Sequence, residues 1–227
     1  MIAVIVPAHN EEQHIGGCLA AVKLACGSRF LLGEPVSLYV VTDACTDETA
    51  AIARRLDATV VEVNERNVGM ARAAGAELAL AAGARWLAFT DADSLVGCDW
   101  LAAQLALGCD AVCGTVAVDD WGDYGERMQR HYQRTYTDAD GHRHIHGANL
   151  GVSAAAYRRA GGFQALASSE DVALVEALRQ SGASIAWSAA PRVVTSSRKT
   201  FRAPAGFGAT LQRIDRESDA SVDAAAR

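Results

Sequence analysis

Residues 2–12 read IAVIVPAHNEE: five apolar, largely β-branched residues, a proline, then a polar and acidic run. An apolar run without polar alternation reads as a strand buried on both faces. The stretch EEQHIGGCLAAVKLAC at 11–26 reads as the helix that follows it. The same unit recurs further along. VSLYVVT (36–42), ATVVEV (58–63), RWLAFT (85–90) and DAVCGTVAV (110–118) read as strands. DETAAIARRL (47–56), the alanine-rich 68–82 and WLAAQLAL (100–107) read as helices. Alternation with short links predicts right-handed crossovers and an α/β fold, with a mostly parallel central sheet flanked by helices on both faces. Ligands of such sheets bind outside the carboxyl ends of the strands. Three strands here end in polar clusters, namely PAHNEE, Asp43 and Asp91-Ala92-Asp93, which are expected to converge on one edge.

The pattern changes after residue 118. Residues 119–144 are polar and aromatic, with a helix expected from about Tyr124 to Tyr136. IHGANLGV (145–152) reads as extended, 154–159 as a short helix, and SSEDVALVEALRQSG (168–182) as an amphipathic helix. SIAWS (184–188) and RVVT (192–195) read as two strands. One domain is expected over 1–195, divided into a nucleotide-binding half (1–118) and an acceptor-side half (119–195). A tail follows at 196–227, ordered only if a ligand orders it.

Half of the 227 residues are hydrophobic, enough for one substantial core. A net charge of -6 argues against gripping nucleic acid through its phosphates. The N-terminus has no basic region and its apolar run stops at Pro7, so it reads as neither a signal peptide nor a membrane span. Six scattered cysteines without a CxxC pair read as small buried thiols of a cytoplasmic protein. Peripheral membrane association stays open if the acceptor is lipid-linked.

The chemistry centres on FTDADS, residues 89–94. Carboxylates at i and i+2 of an extended segment point the same way. Beyond a strand end, such a pair suits a hard cation such as Mn²⁺ or Mg²⁺, or vicinal hydroxyls; a simple Asx turn is the alternative. Ser168-x-x-Asp171 has capping-box spacing, and Asp43 precedes a run rich in helix-capping residues. His142, His144 and His146 alternate as on one strand face, where a zinc site is conceivable but lacks a fourth ligand nearby. His146 and Asn149 more readily border a donor sugar or acceptor. Trp121, Tyr124, Tyr132 and Tyr136 read first as helix packing and second as a stacking surface.

Six blocks together resemble the family 2 glycosyltransferases, which have the GT-A fold. They are VIVPAHNEE (4–12), VVTDACTDETAAIA (40–53), NVGMARAAGAELA (67–79), FTDADS (89–94), GANLGVSAAAYRRAGGF (147–163) and SSEDVALVEAL (168–178). The resemblance implies a metal-dependent transfer of sugar from a UDP- or GDP-linked donor to an acceptor hydroxyl. It implies that Pro7, Ala8, Asn10 and Glu11 line the nucleotide pocket and that Asp43 meets the base. Arg72 would contact the donor, although the family's usual asparagine after it is Ala73 here. Asp91 would meet the ribose and Asp93 the metal bridging the diphosphate. Glu170-Asp171 matches the catalytic acidic pair, with Asp171 as general base of an inverting displacement. Arg198, Lys199 and Arg202 stand where a C-terminal loop could close over the diphosphate, with plain solvated tail charge as the equal alternative. With no histidine in VVTSSRK, a labile, donor-dependent metal is expected. A sugar-phosphate nucleotidyltransferase and a non-catalytic nucleotide-sugar-binding module are the competing readings; no GxGxxG or GxxxxGK[ST] supports the first.

Overall fold

The computed structural model describes residues 1–119, 121, 124 and 126–196. Eight strands form one sheet: β1 (Ile2–Ala8), β2 (Val36–Asp43), β3 (Thr59–Val63), β4 (Trp86–Phe89), β5 (Ser94–Val96), β6 (Ala111–Ala117), β7 (Leu150–Ser153) and β8 (Ile185–Thr195). The helices are α1 (Ile15–Cys26), α2 (Thr49–Arg55), α3 (Val68–Ala81), α4 (Trp100–Ala106), α5 (Glu126–Thr135), α6 (Ala154–Arg159) and α7 (Glu170–Gln180). The strand order is β3-β2-β1-β4-β7-β6-β8-β5. β1 pairs in parallel with β2 and β4, and β6 with β8, whereas β7 and β5 run antiparallel to their neighbours. The sheet is therefore mostly parallel, as expected.

β1 is apolar throughout because both its faces are covered. Ile2, Val4, Val6 and Ala8 join the core beneath α1 and α4, while Ala3 and Ile5 join the core beneath α3, α6 and α7. The small residues of α3 let it lie close to the sheet. A Cβ on Gly75 would come within 2.6 Å of Ile5. The chain steps outward from β1 to β2 and β3, then returns to place β4 on the other side of β1. This reversal opens a crevice at the carboxyl ends of β1 and β4. The registers Ala8↔Thr42 and Ile5↔Phe89 bring the ends of β1, β2 and β4 to one edge.

Two elements differ from expectation. Ile185–Thr195 form one strand rather than two; the β6–β8 ladder slips between Gly114 and Val116, and Pro191 lies in the unpaired stretch where its missing N–H costs nothing. β5 was not legible in the sequence, since three residues are too few to show a period. Trp121, Tyr124, Met128 and Tyr132 pack with Val118 in a small third cluster, so these aromatics serve packing. No disulfide occurs among the described residues; Cys18 and Cys113 are buried, Cys98 is exposed, and the others are half-buried.

Candidate active site

The loops after β1 and β2 are stitched together. Asn10, at φ 52, accepts from the Thr46 amide at 2.7 Å. The Glu11 amide donates to Thr49 Oγ1 at 2.7 Å, and the buried Glu11 carboxylate contacts His14. Pro7 and Ala8 are buried at the end of β1 beneath these loops. Asp43 does not cap α2, where Asp47 instead receives the Thr49 amide. Its carboxylate takes the amides of Glu65, Arg66 and Asn67, all at 2.8 Å. Asp43 thus fixes the approach to α3, whose N-cap Asn67 accepts from Met70. A carboxylate offers about four acceptor positions, so three amides leave room for one more donor.

Asp91 lies just beyond β4, and its charge is not left for a ligand alone to compensate. Arg72, 4 % exposed, reaches from α3 and donates through Nη2 to Asp91 Oδ1 at 2.6 Å. Through Nη1 the same guanidinium pairs with Glu170 at the start of α7. Burial opposes its charge, but Asp91, Glu170 and Asp171 outweigh that effect and hold its pKa above the usual value. Beneath the loop, burial and then the charges of Asp91 and Asp93 push the Cys18 thiol up, so it stays protonated and donates to the Asp91 carbonyl at 3.4 Å.

The capping box that the Ser168-x-x-Asp171 spacing allowed does not form. The N-cap of α7 is Ser169, left-handed at φ 60, without a side-chain capping bond. Asp171 instead accepts the Gly147 amide on Oδ2 at 2.8 Å and remains half-buried. Glu170 is buried, with its carboxylate turned onto Arg72. Burial, then the Asp171 charge, pushes the Cys113 thiol up to about 12, which marks this carboxylate's field in the neighbouring strand.

Asp93 is half-buried beside Ser94, whose hydroxyl donates to Thr195 Oγ1 at 2.9 Å. The end of β8 is thereby fixed next to the acidic loop. Arg198, Lys199 and Arg202 lie outside the described residues. No group of three or more His, Cys, Asp or Glu side chains capable of holding a metal occurs among the described residues. The donor set of Asp93 and Asp91, with Asp91 Oδ1 committed to Arg72, fits a hard divalent ion that completes its shell with phosphate oxygens. It does not fit a self-sufficient cage.

Asn149, expected beside a sugar or acceptor, is instead wholly buried. Its Nδ2 donates to the Thr115 and Pro191 carbonyls, and its Oδ1 accepts from Trp100 Nε1 at 2.9 Å. It closes the core and leaves no surface for a ligand. Residues 142–146 are not a strand; their imidazoles stack in series on Tyr136, with centroids 4.0 Å apart for Tyr136 and His144. His146 Nε2 meets the Tyr136 hydroxyl at 3.0 Å. Desolvation, then the neighbouring His144 and His142, lowers its pKa to about 3, so it is neutral. Sequence reasoning missed Gly147, which packs against Arg72 and holds Asp171; only its place in GANLG marked it.

The glycosyl transferase family 2 model matches residues 3–161, and the chain belongs to that family. Its fold is similar to TarS of Staphylococcus aureus in complex with UDP-GlcNAc, with a TM-score of 0.67 and 16 % identity over 94 % of this chain and 64 % of that one. It is also similar to the mannosyltransferase PcManGT from Pyrobaculum calidifontis in complex with GDP-Man and Mn²⁺ (TM-score 0.64, 22 % identity, 87 % of this chain and 57 % of that one). At these identities the likeness establishes the GT-A fold. A curated relative, 4,4'-diaponeurosporenoate glycosyltransferase of S. aureus strain MRSA252, is 40 % identical over 62 residues, 27 % of this chain. The match spans only 15 % of that relative's length. No helix among the described residues is long and apolar enough to cross a membrane.

Proposed function

We propose that the chain transfers a sugar from a nucleotide-diphospho-sugar to an acceptor hydroxyl by inverting displacement. The observation that carries this reading is the acidic network at the carboxyl end of β4: Arg72 joins Asp91 to Glu170, and Gly147, packed on the same guanidinium, holds Asp171. Pro7, Ala8, Asn10 and Glu11 form the floor of the nucleotide site, Asp43 takes one donor group of the base, and Asp91 takes the ribose. Asp93, with Asp91 beside it, would hold Mn²⁺ or Mg²⁺, and such a cation would offset charge on the departing diphosphate. The Mn²⁺ and GDP-Man in the PcManGT complex support a metal and a nucleotide-sugar donor.

Asp171 accepts the acceptor's hydroxyl proton as that oxygen bonds to the anomeric carbon. The bond from this carbon to the diphosphate breaks, and its electron pair leaves with the nucleoside diphosphate. The Gly147 amide orients the base, and Glu170 stands behind it as a partner of Arg72. His146 borders the acceptor as a neutral imidazole. Cysteines without a disulfide among the described residues suit the reducing cytoplasm.

Calorimetry with UDP, GDP and their sugars, with and without Mn²⁺, followed by product analysis, tests the reading. Asp93→Ala is expected to abolish the metal-dependent gain in affinity. Absence of any nucleotide affinity would refute the proposal, and tight binding without turnover on any acceptor would favour a non-catalytic binding module.

A further inference from the structure

Family resemblance makes Arg72 a donor contact, but its surroundings point elsewhere. Its side chain is 4 % exposed, and its Nε is buried, which leaves almost no surface for a ligand. Its two terminal nitrogens are directed at Asp91 and Glu170, and Phe163 lies 5.7 Å from its carbon centre. A Cβ on Gly147 would come within 2.4 Å of Nη2, so this glycine is bare because the guanidinium rests against it. The amide of that same glycine holds Asp171 Oδ2. One planar cation therefore touches the donor-side carboxylate, the residue before the base, and the residue that aims the base.

We propose that Arg72 is a positioning residue, a strut coupling Asp91 to Asp171 without touching the donor; this rests on the glycosyl-transfer reading above. Arginine suits the place because its rigid fork serves two carboxylates in fixed directions, which an ammonium cannot reproduce. Displacing the guanidinium moves Glu170 and Gly147, and with them the base. A shift of about 1 Å at a reacting group costs on the order of 100-fold in rate.

The test uses the full chain with three substitutions: Arg72→Lys, Glu170→Gln and Gly147→Ala. Gly147→Ala retains every charge and has no positive φ to strain, so it stays informative if the Arg72 variant does not fold. In each, kcat is expected to fall about 100-fold. Donor KM and the calorimetric Kd for the nucleoside diphosphate should stay within about threefold, a shift below 0.7 kcal/mol. In ¹⁵N-labelled protein the Gly147 amide proton should move upfield in Arg72→Lys and Glu170→Gln as its bond to Asp171 loosens. A tenfold or greater rise in donor KM or Kd with kcat retained would make Arg72 a donor ligand and overturn the strut. An unmoved Gly147 amide, or lowered thermal stability with intact kcat, would overturn it as well. Failure of the wild-type chain to bind any nucleotide would strike the glycosyl-transfer reading instead, while the amide shift still decides whether Arg72 aims Asp171.

Discussion

Replacing Asp43 with asparagine separates its structural task from any contact with a base. The buried carboxylate accepts three backbone amides at 2.8 Å, two on Oδ1 and one on Oδ2. An asparagine oxygen can keep the Glu65 and Arg66 amides, but its NH₂ then faces the Asn67 amide. One charge-assisted bond is lost and two become neutral. At about 1.5–3 kcal/mol for a bond to a charged group and about 1 for a neutral one, the loss is at least about 2.5 kcal/mol. At about 2–4 °C per kcal/mol for a chain of this size, the thermal midpoint should fall by at least about 5 °C. Scanning calorimetry without nucleotide measures it, and faster hydrogen exchange at residues 65–67 should accompany the drop. A midpoint within about 2 °C of wild type would refute the argument that this carboxylate holds the approach to α3. Weakened nucleoside-diphosphate affinity beyond the stability loss would identify the fourth acceptor position as the base contact.

Asp171→Asn should lower kcat by about 10²–10⁴-fold while the Kd for nucleoside diphosphate hardly changes, since the amide keeps an acceptor for Gly147 but cannot take a proton; parallel loss of binding would count against the base role. Asn149→Leu strands the Trp100 indole N–H and the Thr115 and Pro191 carbonyls, so about 3–9 kcal/mol of stability should be lost, read from denaturant unfolding. A stable Asn149→Leu protein defective only in transfer would restore a ligand role. His146 is neutral in the fold down to about pH 3, whereas an unfolded histidine protonates near pH 6.5. The unfolded state binds more protons between those values, so stability is full above pH 6.5 and declines as pH falls, by at most about 1.4 kcal/mol per unit. His146→Gln should flatten that part of the thermal midpoint–pH curve, and an unchanged slope would mean that other groups set it.

Local chemistry was enough for the frame. IAVIV, VSLYVVT and WLAF are apolar without alternation because both faces of a parallel sheet are covered, and each is followed by the polar residues of the crevice edge. The alanine and glycine of α3 likewise announced a helix pressed against its sheet. These signals are legible because burial and periodicity act within a few residues. Partnerships across long separations were not. Asp43 looked like a cap for its own helix, yet it serves amides 22 to 24 residues away. Asn149 looked like a ligand contact because a polar residue in an apolar run suggests a site, yet three buried partners satisfy it. Asp91 and Asp93 looked like charges awaiting a substrate, whereas Arg72 already meets one of them and reaches Glu170, 98 residues further on. Sequence alone determined which acids stand at the strand ends. Only tertiary structure decided which partners hold them, because the energy of a buried charge depends on its partner, and the partner is chosen by the fold.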